Sequence, residues 1–177
     1  MGPEQDACPQ NVLSALQSCG ISRELIASRS LALQDEAREL VVAETGENGR
    51  EHLLAPAAAR AWREMSAAAQ ADGASLRIVS AFRSVERQAE IVQAKLERGQ
   101  PLDAVLAVSA PPGYSEHHSG CAVDLTTEGV APLEEEFERT PAFRWLSANA
   151  ARFGFSLSFP RGNPHGYAYE PWHWRWA

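Results

Sequence analysis

The residues just before the terminal alanine, Trp172-His173-Trp174-Arg175-Trp176, put three tryptophans on alternate positions. A side-chain period of two belongs to a β-strand. It sets one heavily apolar face against another that carries His173 and Arg175. Such a strand cannot stand alone, because its tryptophan face needs a packed layer to bury against. The rest of the chain offers helices and short strands in mixed order. Leu40–Ala43 reads as a strand, closed by the turn Thr45-Gly46-Glu47-Asn48-Gly49, with Leu53-Leu54 pairing back as a hairpin. Pro56 opens a helix to about Gln70, with Trp62 and Met65 on its apolar face. Leu76–Ser80 reads as a strand, Ser84 caps a helix to about Arg98, and Pro101 opens a further helical stretch to about Val108. Cys121–Leu125 is another strand. Thr140-Pro141 starts a helix that carries Phe143, Leu146, Ala150 and Phe153 and ends at Gly154. Phe155–Phe159 and Trp172–Trp176 close the chain as strands. Without a regular βαβ rhythm, the class is α+β: a mostly antiparallel sheet flanked by helices. Residues 1–30, with short helices at Asn11–Ser18 and Glu24–Ala27, read as an N-terminal peripheral segment, and 31–177 as the folded domain.

Composition narrows the function classes. A length of 177 residues fits one domain. A net charge of −7 disfavours nucleic acid, which rewards a basic face. No stretch approaches the roughly 20 apolar residues that span a bilayer, so no membrane association is expected. The opening MGPEQDACPQNVL has neither a basic nor an apolar signal region. That points to a cytoplasmic protein unless a leader has been removed, and a monomer is expected. Cys8, Cys19 and Cys121 form no CxxC and are expected to be unpaired thiols. Lys95 is the only lysine against fifteen arginines, which reads as codon bias rather than chemistry.

Three stretches carry chemistry. In Ser115-Glu116-His117-His118-Ser119-Gly120-Cys121-Ala122-Val123-Asp124, alternation sends Cys121, Val123 and Leu125 to the core and Ala122 and Asp124 to the other face. A carboxylate beside a small alanine leaves space that His117, across the turn, can reach. The pair is half of a zinc site, or else a loop histidine and a surface aspartate. In Glu170-Pro171-Trp172-His173, a ligand histidine can bring the glutamate beside a metal without its coordinating, as a zinc hydrolase needs; the plain alternative is a tryptophan-packed edge strand. In Ser80-Ala81-Phe82-Arg83-Ser84, a guanidinium meets a helix N-terminus, which is either an anion site or an arginine paired to a surface carboxylate.

Together, Ser-x-His-x-x-Gly-x-Ala-x-Asp, a downstream Glu-x-Trp-His and an upstream Phe-Arg-Ser resemble the VanY-type D-alanyl-D-alanine carboxypeptidases, within the zinc D,D- and L,D-peptidases of peptidoglycan. The likeness runs from about Leu53 to Trp176. It implies a zinc ion (Zn2+) held by His117, Asp124 and His173, with Glu170 as catalytic base. It also implies Arg83 in the substrate pocket and Ser115 on the substrate carboxylate. The implied fold is a small α+β domain shared with the hedgehog signalling domain, making 31–177 a zinc peptidase domain. Two features depart from the family or lie outside it. His118 stands where glutamine is frequent and competes for the ligand role, and residues 1–30 have no counterpart. Tyr169 is assigned to the pocket, with Tyr167 as a further candidate and packing as the alternative for both. An exopeptidase must also hold a chain end, and the sequence leaves open how Arg83 and Ser115 divide carboxylate binding and oxyanion stabilisation. The implied reaction removes a C-terminal D-alanine from muropeptides. L,D-cleavage of tetrapeptides is placed ahead of D,D-cleavage of pentapeptides. Alternatives are a D,D-dipeptidase, a peptidoglycan endopeptidase, or a non-catalytic hedgehog-like zinc module, which would have no need of Glu170.

Overall fold

Alternation in the last strand is realised as one partner in a four-stranded antiparallel sheet. The structure, a computed structural model, describes residues 8–177. The described elements begin with α1 (Gln10–Ser18) and α2 (Arg23–Ser28), followed by the hairpin β1 (Val41–Thr45) and β2 (Glu51–Leu54). Next come α3 (Pro56–Ala71), β3 (Arg77–Ser80), α4 (Val85–Glu97), α5 (Leu102–Val108) and β4 (Ala122–Thr126). The chain closes with α6 (Pro141–Asn149), β5 (Phe155–Leu157) and β6 (His173–Trp176). The main sheet has the order β3-β4-β6-β5, every neighbour antiparallel. The α+β class holds.

Sheet register sorts the side chains. Val123 lies opposite Trp174, while Ala122 pairs with Arg175 and Asp124 with His173. Val123, Leu125, Ile78, Phe155 and Trp174 face the main core. There they meet Ala58, Ala59, Trp62, Met65 and Ala69, whose spacing makes one stripe of α3. Pro56 starts that helix at a position where its missing N–H costs nothing. Thr140 caps α6 by accepting the Phe143 N–H at 3.1 Å.

The N-terminal helices are not peripheral. Val12, Leu16, Cys19, Ile21 and Ile26 join Val85, Ala89, Val92, Val105 and Leu106 in a second core. The N-terminal residues cover the apolar face that α4 and α5 form together. At Gly113, α1 comes so close that a Cβ would lie 2.4 Å from Val12 Cγ1, at a φ of +87°. The Pro111-Pro112-Gly113 loop is thus clamped between α1 and the site described next. Cys8, Cys19 and Cys121 are free, as expected. Among the described residues no helix is long and apolar enough to cross a membrane.

Candidate active site

Pairing of β4 with β6 brings Asp124 and His173, far apart in sequence, side by side on the face opposite the core. His117 arrives from a 3₁₀ turn, Glu116–Ser119. Gly120 ends that turn at φ +67°, where an added Cβ would sit 2.9 Å from the Ala55 nitrogen. The three side chains are buried, and their ligand-capable atoms all lie within 4.8 Å of one another. His117 Nε2 is 3.2 Å from Asp124 Oδ2, and His173 Nδ1 is 3.0 Å from Asp124 Oδ1.

The outward nitrogen of each imidazole is held by an acceptor. His117 Nδ1–H donates to the Ala81 carbonyl at 2.7 Å. His173 Nε2–H donates to Glu116 Oε2 at 2.9 Å. Glu116 is itself fixed by Ser158 Oγ at 2.6 Å and Arg175 Nη1 at 3.1 Å. Each imidazole is left to present its other nitrogen inward, beside one carboxylate. This donor set fits zinc, including the outer partners that orient ligating histidines.

His118 is not part of this centre. It is fully buried, its Nδ1–H donates to the Arg83 carbonyl at 2.6 Å, and its Nε2 accepts the Gly113 N–H at 3.0 Å. With both ring nitrogens engaged by backbone, it ties the Pro-Pro-Gly loop to the entry of α4.

Charge at the centre follows from burial and neighbours. Burial opposes charge on Asp124, but His117 and His173 outweigh it and hold the carboxyl well below the usual range. Burial likewise opposes charge on His173, yet its hydrogen bonds to the Asp124 and Glu116 carboxylates raise it to about 10. Glu116, half-buried but hydrogen-bonded to His173 and Ser158 and near Arg175, is lowered to about 2. Glu170 behaves differently. Its Oε2 lies 3.9 Å from His173 Nδ1, and burial lifts its carboxyl to about 7 against the pull of His173. A glutamate that exchanges protons near neutrality beside a metal-ligand set is suited to general acid–base work.

These groups line a cavity of about 420 Å³. Arg83 stands at its metal end. Its Nη1 donates to Gln88 Oε1 and its Nη2 to Ser80 Oγ, both at 2.8 Å, and Nη2 is 3.8 Å from Asp124 Oδ2. The helix start beside it is formed as read, with Ser84 Oγ accepting the Arg87 N–H at 3.1 Å. Ser115 is buried in the same lining, with Phe159 and Trp172 as apolar wall. Tyr169 lies outside this lining. Its ring sits under the Arg161 guanidinium, 3.9 Å from carbon to centroid. Tyr167 lines the cavity instead. The segment before β6 is irregular, so alternation does not govern which tyrosine faces inward. Sequence reasoning also missed Glu116, although its position immediately before His117 was the available signal. Lys95 and Ser109 were missed as well, and both line the cavity.

Fold and centre together define a class: small α+β domains that carry two histidines and an aspartate on the open face of an antiparallel sheet. Within that class, the chain belongs to the VanY family, described as D-alanyl-D-alanine carboxypeptidase, whose model matches residues 51–177. A D-alanyl-D-alanine carboxypeptidase of Enterococcus faecalis is 33% identical over 120 residues, covering 62% of this chain and 43% of that protein. YodJ of Bacillus subtilis is 36% identical over 123 residues, covering 68% of this chain and 45% of that protein. The chain thus spans less than half the length of these two curated relatives. The solved LdcB LD-carboxypeptidase is 31% identical at a TM-score of 0.71, with 80% of this chain and 69% of that one covered. A glutamate-to-alanine variant of the vancomycin-resistance D,D-pentapeptidase VanY, in complex with Zn(II), is 30% identical at a TM-score of 0.63. That comparison covers 84% of this chain and 88% of the other.

Proposed function

We propose that this chain is a zinc-dependent carboxypeptidase that removes a C-terminal D-alanine from peptidoglycan-derived peptides, with tetrapeptides cut in the L,D-sense as preferred substrates. The observation that carries the reading is the convergence of His117, Asp124 and His173 on one point, with the half-buried Glu170 carboxylate beside them. Likeness to the LdcB LD-carboxypeptidase supports the L,D preference. A non-catalytic zinc module gives no reason to set a glutamate carboxylate in the cavity wall 3.9 Å from His173 Nδ1.

His117, Asp124 and His173 would hold the zinc, which supplies Lewis acidity and brings a water's pKa down toward about 7. Glu170 takes the proton of the water that attacks the scissile carbonyl and delivers it to the leaving amine. Arg83, pinned by Ser80 and Gln88, presents positive charge toward the developing oxyanion without having to reorganise. Ser115 offers its hydroxyl to the substrate's carboxylate end. Mass spectrometry of tetrapeptide and pentapeptide muropeptides incubated with purified protein tests the substrate assignment. Loss of one alanine from the tetrapeptide, faster than from the pentapeptide, is expected. Faster trimming of the pentapeptide would reverse the L,D preference, and internal cleavage would make the protein an endopeptidase.

A further inference from the structure

Lys95 is the single lysine in a chain that uses arginine for every other basic side chain outside its histidines. It does not lie on an open surface. It projects from the last turn of α4 into the lining of the same cavity that holds Asp124, Arg83 and Glu170. Its Nζ donates to Ser109 Oγ at 2.7 Å. Among the described residues no carboxylate lies within ion-pairing distance of it. Ser109 is buried, and because its oxygen accepts from Lys95, its own O–H remains free to donate. Ile91, Val108 and Ala110 stand beside the pair as a small apolar wall.

The cavity therefore contains two cations with different degrees of freedom. Arg83 is committed to Gln88 and Ser80 and sits against Asp124, at the metal end. Lys95 keeps two ammonium hydrogens available beside a free hydroxyl. An ammonium is a compact point charge on a flexible stem, whereas an arginine fork demands a planar partner held in one orientation. A partly desolvated ammonium without a carboxylate partner is costly unless something anionic occupies the space.

We propose that Lys95, with Ser109, joins Ser115 in holding the C-terminal carboxylate of the substrate and supplies the charge for it, leaving Arg83 to the reacting carbonyl oxygen. The Ile91–Val108 wall then takes the methyl group of the terminal alanine. This assignment rests on the carboxypeptidase reading above and adds its specificity determinant: the charge that distinguishes a chain end from a continuing chain.

The test compares zinc-loaded wild type, Lys95→Met, Lys95→Arg and Arg83→Ala on a D-Ala-terminated muropeptide with a free or an amidated C-terminus. Wild type should prefer the free acid by at least about 30-fold in kcat/KM, equivalent to about 2 kcal/mol. Lys95→Met should lose that factor on the free acid and less than about threefold on the amide, so that discrimination collapses. Lys95→Arg should recover part of it. Arg83→Ala should slow both peptides and keep the ratio. Because the ratio is read within each variant, any change that Lys95→Met makes to Glu170 cancels. Wild-type discrimination retained in Lys95→Met overturns the assignment. So do equal losses on both peptides, which would point to a carboxylate elsewhere on the peptide. Calorimetry of the same two peptides with zinc-loaded Glu170→Gln, with and without Lys95→Met, reads the contact without turnover. Lysine-dependent discrimination in binding but no cleavage by wild type would remove the peptidase reading and keep the carboxylate contact. No discrimination in either measurement removes the contact.

Discussion

His117 and His118 are adjacent in sequence and do opposite things. His117 turns its Nε2 toward Asp124, while His118 spends both nitrogens on the backbone of Arg83 and Gly113. His117→Ala should abolish stoichiometric zinc binding, while His118→Ala should keep one zinc per chain and lose stability instead. Metal analysis of the two purified variants checks this; zinc lost only from His118→Ala would exchange the roles. Glu116 acts through His173 and does not face the metal position. It fixes His173 through Nε2, with Ser158 and Arg175 holding it in turn. Removing such an outer partner typically costs about 10- to 100-fold in metal affinity. Glu116→Gln should therefore weaken zinc by that factor in a chelator competition titration, and unchanged affinity would leave Glu116 with no part in orienting His173. Alternation and local spacing singled out His117, Asp124, His173 and Glu170 as candidates, and the family resemblance implied their roles. Glu116 was not singled out, because its meaning depends on a histidine placed beside it by a strand pairing that spans most of the C-terminal third. Tyr169 was misplaced for a related reason: no repeating backbone pattern governs the segment ahead of β6, and Arg161 claims its ring.

At the level of elements, strand and helix positions followed from period and punctuation. Trp174 faces the core and His173 the site, as alternation requires. What local pattern could not show was that α1 and α2 have a docking face. Val12, Ala15 and Leu16 make a short stripe that looks ordinary in isolation. Only the apolar face of α4 and α5, assembled when those two helices pack together, explains what they cover. Leu16 is 3% exposed. Leu16→Ala should lower unfolding free energy by about 2–5 kcal/mol. Urea denaturation measures it, and a change within about 0.5 kcal/mol, typical of surface substitutions, would show that α1 is dispensable. The close approach of Val12 to Gly113 also links this docking to the loop that His118 braces.

For the whole molecule, the main core and the site are coupled through one sheet: β4 and β6 bury Val123 and Trp174 on one face and offer Asp124 and His173 on the other. A metal that binds only the folded arrangement adds stability by mass action, about 2.7 kcal/mol at a free concentration 100 times its dissociation constant. For a domain of this size that corresponds to a rise of roughly 5–10 °C in thermal midpoint. Calorimetry with zinc and with a chelator should show the difference, and coincident midpoints would mean that no metal is bound by the native state. The most direct test of the central claim pairs zinc stoichiometry with release of D-alanine from a tetrapeptide muropeptide, in wild type and Glu170→Gln. Both proteins should carry one zinc per chain, and the variant's turnover should fall by about 100-fold or more, as expected for loss of a general base. Wild-type turnover in a zinc-loaded Glu170→Gln protein, or full turnover by wild type stripped of metal, would contradict the account.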